Sequence, residues 1–447
     1  MSTLAGGTAG NGTGGGPRRG GTAARRAAAL AAAAAAVGTL TALPAHAAQG
    51  APPPPYAFDD TARPIEGAAS SADAKELEPG KSYRDVLRKD GKVYYRLGLG
   101  TTANAYVSAV AVPRPGGKAA YGDGFRIAIQ DDSGTECGYQ DVNFAFGDHA
   151  RPLTAYARRI IDPDVSSCQE TGTYYVVVER ESDAESDPGD WELELRHVSE
   201  PLLAKTGPTK LPETWASATP APLTGTPVPR PGGNGFHTAV SLESGAWRAD
   251  IRPGQTLFYR VPVDWGQQLF ARAELGSSAT GDDLVGNALA FGLDNPARGF
   301  VDLETVSYSG KQTTVGIDPQ RPVAHENRSS YETATSGMRF AGWYYLTATL
   351  SPAMAEKYGD GAVPLILRVQ VTGKAGPGPG YAGDPGPFQV TAGDRDAAEA
   401  GASGPQAAGG GTAMTVLAAG GIGLGTVLLV GLGAWTLLAR RAAPPRA

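Results

Sequence analysis

The sequence predicts an all-β fold, two tandem antiparallel β-sandwiches followed by one C-terminal transmembrane helix. Three observations carry that expectation. Apolar and polar residues alternate over short runs, two stretches repeat one another's motifs in order, and an uncharged segment runs from Ala413 to Ala439. Of 447 residues 62 are Gly and 35 are Pro, which suits turn-rich sheets and loose linkers and excludes a mostly helical bundle or coiled coil.

The alternation is the signal for strands. Phe125, Ile127 and Ile129 alternate with Arg126, Ala128 and Gln130, and Trp191, Leu193 and Leu195 alternate with Glu192, Glu194 and Arg196. Leu269, Ala271, Ala273 and Leu275 alternate with Phe270, Arg272 and Glu274, and Leu365, Leu367, Val369 and Val371 with Ile366, Arg368 and Gln370. One buried and one wetted face is expected of such strands, as in antiparallel sheets. Several of them between Gly and Pro turns argue for a sandwich.

The motifs then recur. Tyr94, Tyr95, Arg96, Leu97 correspond to Phe258, Tyr259, Arg260, Val261, with Tyr83 ahead of the first set and Trp247 ahead of the second. Gly172, Thr173, Tyr174, Tyr175 correspond to Gly342, Trp343, Tyr344, Tyr345, and Leu193 to Arg196 correspond to Leu365 to Arg368. The first residues of these sets are 164, 170 and 172 apart, a drift that loop insertions produce in a duplicated domain. Two copies are a tandem duplication; a stacked solenoid needs at least three.

The two ends predict the compartment. Arg18, Arg19, Arg25 and Arg26 precede an Ala-rich run closed by Pro44 and Ala45, His46, Ala47, so residues 1–47 read as a secretory signal peptide, with general export favoured over the twin-arginine route. Residues 413–439 are long enough, at ~1.5 Å per residue, to cross a ~30 Å hydrocarbon core. Arg440, Arg441 and Arg446 in the tail 440–447 place that end in the cytoplasm. Gly421 and Gly425 form a small-residue pair through which two such helices could pack as a homodimer. Between the ends, a Pro-rich leader (48–65), a first module (66–200), a Pro-rich linker (201–234), a second module (235–373) and a Gly/Pro/Ala-rich stalk (374–412) are expected, with the modules and membrane-distal segments outside the cell. Leu211, Pro212, Glu213, Thr214 matches the start of a sorting motif, but Trp215 follows and the uncharged segment is far away, so it reads as linker.

Strands reading Y-Y-R or F-Y-R after a Gly-containing turn, then G-x-Y-Y opening the strand before last, resemble the bacterial pre-peptidase C-terminal (PPC) domain. The resemblance covers residues 66–200 and 235–373. It implies jelly-roll-like sandwiches that accompany a secreted enzyme. Arg252, Pro253, Gly254 and the run Val261 to Gln267 also resemble modules of actinobacterial membrane-anchored surface proteins, some with a von Willebrand type A domain. The chain departs from both patterns: no peptidase domain precedes the modules, and Asp131, Ser133, Thr135 falls short of the D-x-S-x-S metal motif.

Chemistry-bearing motifs are sparse. No G-x-S-x-G elbow, phosphate-binding P-loop or H-E-x-x-H helix is present; His325 and Glu326 are followed by Asn327, Arg328, Ser329. His149, His197, His237 and His325 are scattered, with His197 on the apolar face of its strand, so no metal or catalytic set is assigned and no cofactor is expected. A Ser/His/Asp arrangement assembled only in space stays open. Asp131, Asp132 and Asp282, Asp283 read as solvated turns ahead of calcium sites. Cys137 and Cys168 lie in one module of an exported chain and are expected to form a disulfide, absent from the second copy. Between residues 48 and 412, 32 basic side chains (39 less the seven arginines of the two ends) face 45 acidic ones, a net of −13 that disfavours nucleic acid.

The expected function is therefore a membrane-anchored, extracellular, non-catalytic binding or scaffold protein of the bacterial cell envelope, its partner an envelope protein or polysaccharide. The alternative is a secreted protease-associated hydrolase with a dispersed catalytic site.

Overall fold

Alternating side chains on Lys92–Leu99 and its counterparts become pleated strands with one face on a core. A computed structural model describes residues 54–404 and 406, apart from 115, 116, 118, 145–149, 222, 279, 280 and 282. The predicted signal peptide, transmembrane segment with Gly421 and Gly425, cytoplasmic tail, His149 and Asp282 lie outside the described residues. Among the described residues no helix is long and apolar enough to cross a membrane.

The first module contains β1 (Arg63–Pro64), β2 (Lys75–Glu76), β3 (Ser82–Leu87), β4 (Lys92–Leu99), β5 (Ala103–Val112), β6 (Gly124–Gln130), β7 (Glu136–Asn143), β8 (Leu153–Arg159), β9 (Gly172–Glu181) and β10 (Trp191–Pro201). They form two sheets, β1-β3-β10-β5-β8 and β2-β4-β9-β6-β7. The second module contains β11 (Val228–Pro229), β12 (Val240–Ser241), β13 (Gly245–Ile251), β14 (Thr256–Val263), β15 (Gln268–Leu275), β16 (Val285–Asp294), β17 (Phe300–Tyr308), β18 (Thr313–Gly316), β19 (Gly342–Leu350) and β20 (Val363–Thr372). Its sheets, β11-β13-β20-β15-β18 and β12-β14-β19-β16-β17, repeat the same order strand for strand. Each module is thus a sandwich of the jelly-roll kind, with its full-length strands antiparallel.

The repeated motifs occupy equivalent places. Tyr95 in β4 and Tyr259 in β14 both point into their cores and are fully buried. Gly172 opens β9 as Gly342 opens β19, and Leu193 and Leu195 line one core as Leu365 and Leu367 line the other. The duplication reaches further upstream than the motifs do. The two-residue strands β1 and β2 pair in parallel with β3 and β4, and β11 and β12 pair in parallel with β13 and β14. Both start 165 residues before their counterparts, 63 to 228 and 75 to 240. The Pro-rich leader and linker therefore each carry an edge strand, in the place where a missing donor is tolerated.

Three expectations need correction. The segment after 373 is not a loose stalk where it is described. Tyr381 is bridged to Leu203, Phe388 is fully buried, and a helix, Ala392–Ala400, is held by a capping box in which Thr391 and Asp394 bond each other's backbone amides. That helix docks on the second module through Trp343 Nε1 donating to Asp394 Oδ1 (2.8 Å) and Arg395 to Asp264 (2.6 Å). The leader packs too, Tyr56 meeting Phe258 edge to face at 5.7 Å. And the polar side of β10 is wetted only in part: Glu192 is half exposed, but Glu194 and Glu200 are buried, because the second module covers them. The Cys137–Cys168 disulfide ties β7 to the approach to β9, with Cα atoms 5.6 Å apart.

Candidate functional site

Where the sandwiches meet, the outward side chains of β5 and β10 face those of β14 and β19, so the sheet β1-β3-β10-β5-β8 is covered on both sides. Two apolar clusters close the joint. Tyr106, Tyr156 and Val198 pack with Ala297, Phe340 and Phe388, and Val110 and Val112 pack with Phe236, Ala239, Phe258 and Tyr345. Buried polar groups are paired across it. Arg298 donates to Glu194, Arg339 Nη2 donates to the Tyr156 hydroxyl at 3.0 Å, and Glu200 accepts from Asn104, Tyr106 and Tyr381 with His325 Nε2 at 3.7 Å. The joint is heterologous: it uses non-equivalent sheets of the two copies, and the remaining sheet of the second is covered in part by the linker, with Gln268 Nε2 donating to the Ala216 carbonyl and Arg368 Nη1 to the Leu223 carbonyl.

Beside these clusters the joint opens into a cleft of about 540 Å³ lined by both copies. Arg196 and Lys81 enter it from the first module, Arg260, Arg298 and His237 from the second, with Asp59 and Arg63 from the leader. Pleat register explains the strand contributions. Arg196 lies on the outward face of β10 and Arg260 on the outward face of β14, opposite the core-facing Leu195 and Tyr259. Arg298 reaches the cleft from the β16–β17 turn, where its backbone holds a left-handed φ of 59° and Asn295 Oδ1 accepts from Ala297 and Gly299 N–H. Gly299 sits against the ring of Tyr156 so closely that a Cβ there would lie 2.5 Å from it.

The cleft's cations differ in how they are compensated. Burial opposes the charge on Arg298, but Glu194 with Tyr56 and Tyr345 together outweigh it and hold the guanidinium well above its ordinary value; its Nε has no hydrogen-bond partner among the described residues. Arg260 is 8% exposed; its Nε donates to Ser241 Oγ at 2.9 Å, its guanidinium lies 4.1 Å over the Trp343 ring, and its Nη2 has no partner among the described residues. The Arg196 side chain makes no ion pair or hydrogen bond among the described residues. Burial and then the like charge of Arg298 push Arg196 below its ordinary value.

At the rim, His237 Nδ1 lies 3.6 Å from Asp59 Oδ1, and its Nε2 lies 3.0 Å from Asp60 Oδ1, off the line of a hydrogen bond. These three side chains have metal-ligand spacing. The oxygens of Asp59 are already used: Oδ1 accepts from Thr61 N and Oγ1, and Oδ2 from Ser82 Oγ. Burial raises the Asp59 carboxyl, yet these bonds and His237 hold it below the usual range.

The other residues singled out from sequence stand apart from the cleft. His197 is buried in the first core, Nδ1 2.9 Å from the Leu77 carbonyl. Asp131 closes a turn, Oδ1 accepting from Ser133 N, Ser133 Oγ and Thr135 N. Cys137 and Cys168 lie within the first module. Arg196 and Arg260 were visible only as parts of repeated motifs; Arg298 and His237 carried no signal, since each depends on a loop meeting another module. A second, smaller pocket of about 100 Å³ lies elsewhere along the joint, with Phe258, Gly292 and Asp294 on its wall.

No protein-family model and no curated protein matches the chain. Among solved structures it is similar to tripeptidyl peptidase 2, at 9% identity and a TM-score of 0.19 over 66% of this chain and 24% of that one. It thus spans about a quarter of that protein's length. It is also similar to the CUB1-EGF-CUB2 domain of human MASP-1/3 (6% identity, TM-score 0.17, 65% of this chain and 99% of that one). A further likeness is to the tandem CBM22 domains of Paenibacillus barcinonensis Xyn10C (10%, 0.15, 66% and 92%). At such scores these likenesses carry no argument, and the architecture rests on strand order and register.

Proposed function

We propose that the chain is a membrane-anchored extracellular protein of the bacterial cell envelope that binds or scaffolds and does not catalyse. The observation that supports the binding role is the cleft between the copies, walled by side chains of both, so that the joined pair is the binding unit. The PPC-like motifs support an accessory role, and the uncharged segment before Arg440 and Arg441 supports anchoring. The test is made on intact cells. Protease added outside should remove the modules and leave a short membrane-bound remnant, while a fluorophosphonate probe leaves the protein unlabelled. Full protection from the protease, full-length chain in the soluble fraction, or probe labelling would each overturn the reading.

A further inference from the structure

We propose that the cleft between the two sandwiches binds a phosphate group, held by Arg196 and Arg260 with Arg298 and Lys81 beside them. The inference rests on the binding role proposed above and names the chemistry of its ligand. The duplication supplies the internal control. Arg260 has its counterpart in Arg96, which pairs with Glu76 at 2.9 Å, and Arg196 has its counterpart in Arg368, which pairs with Glu274 at 2.6 Å. On the two faces away from the joint the repeated arginine has an ion-pair partner; on the two faces that meet at the joint it makes no ion pair among the described residues, although Asp59 and Glu194 favour the charge on Arg196 and Asp394 that on Arg260. A buried guanidinium nitrogen without an acceptor costs free energy, and Arg260 Nη2 and Arg298 Nε are two of them at one cleft. An anion seated there would add negative charge beside these guanidiniums and relieve the repulsion between Arg196 and Arg298.

The ligand class follows from the donors. They line one cleft from two modules and from strands of different sheets, so a tetrahedral oxyanion with oxygens in several directions suits them better than a planar carboxylate, which takes one fork in its plane. The cleft is larger than one phosphate, which leaves room for a polar carrier such as a polyol or sugar.

Calorimetric titration of the full chain in detergent tests this with inorganic phosphate, glycerol 3-phosphate and short poly(glycerol phosphate), against polygalacturonate at matched ionic strength. Binding of inorganic phosphate alone would mark a free-anion site, and tighter binding of the carried forms a polyol-borne ligand; either supports the proposal. Arg196→Gln and Arg260→Gln should each weaken binding at least tenfold, while Arg96→Gln and Arg368→Gln should leave it within twofold. Should the buried variants fail to fold, Lys81→Ala at the exposed rim should weaken binding several-fold, and phosphate should raise the wild-type melting temperature in proportion to the logarithm of its concentration. No binding of any phosphate probe, binding indifferent to Lys81 and both arginines, or tighter binding of polygalacturonate would overturn it. Because the protein is purified, failure here leaves the anchoring and accessory role standing, and failure of the whole-cell test leaves the cleft chemistry standing.

Discussion

Glu194 of β10 and Arg298 of the β16–β17 turn form an ion pair across the joint, with side chains 0% and 4% exposed. Removing one partner strands a buried charge, which costs about 3–5 kcal/mol, whereas replacing both by apolar groups of similar volume is often neutral. Arg298→Met is therefore expected to lower unfolding free energy by that amount in urea titrations. Glu194→Leu combined with Arg298→Met should recover most of it. A single variant within about 1 kcal/mol of wild type would mean that the pair is not sealed from water.

Gly299 tests the closeness of the same joint. A Cβ at 2.5 Å from the Tyr156 ring must push the turn or the ring aside, and overpacking of this kind costs about 1–3 kcal/mol. Gly299→Ala should lower the melting temperature by several degrees. Gly286→Ala, where a Cβ meets nothing within 4 Å, should not.

Two buried groups at the joint give opposite pH dependences. The Asp294 carboxyl is pushed up to about 7 by burial, which outweighs the nearby Arg298 charge. Its folded value lies above the unfolded one near 3.9, so its stabilisation is full below that unfolded value and is lost as pH rises through 7. Burial, then Arg328 and Arg339, lower His325 to about 4. Its contribution is full above the unfolded value near 6.5 and is lost as pH falls toward 4. Asp294→Asn should thus stabilise the chain at pH 8 by roughly 1–4 kcal/mol and change it little at pH 4. Between pH 4 and 6.5 the variant should gain stability more steeply than wild type, because the histidine limb is no longer offset. Denaturant titrations at stepped pH measure both.

The disulfide acts inside one copy. Opening a loop with a sequence separation of 31 residues costs roughly 3–4 kcal/mol in the chain-entropy description. Cys137→Ala with Cys168→Ala should lose that stability, and reductant should then have no further effect. An unchanged midpoint would show that the reduced chain is already restrained.

Local pattern was enough to locate eight strands, β4, β6, β9, β10, β14, β15, β19 and β20. Period-two runs mark β6, β10, β15 and β20, and the repeated Tyr95 and Tyr259, or Leu193 and Leu365, occupy matching core positions because each copy must fill the same sandwich. Coverage by another module was not legible. The run from Glu192 to Arg196 reads as a wetted face because alternation reports polarity, and Glu194 is polar yet buried since its countercharge arrives from a turn about a hundred residues away. The segment beyond 373 reads as loose from its Gly and Pro content, but its few anchors decide otherwise. Tyr381 and Phe388 were the apolar signal, and Thr391 with Asp394 the helix-start signal, that could have corrected it. The cleft is the least legible part, since its arginines sit in motifs shared by both copies and only the joint distinguishes the unpaired pair from the paired one.

Scanning calorimetry of the full chain most directly tests whether the two copies form one unit. A joint closed by Glu194, Arg298, Tyr156 and Phe340 predicts a single transition whose calorimetric enthalpy equals its van't Hoff enthalpy, displaced as a whole by Arg298→Met. Two separable transitions, only one of them moved by that substitution, would contradict it.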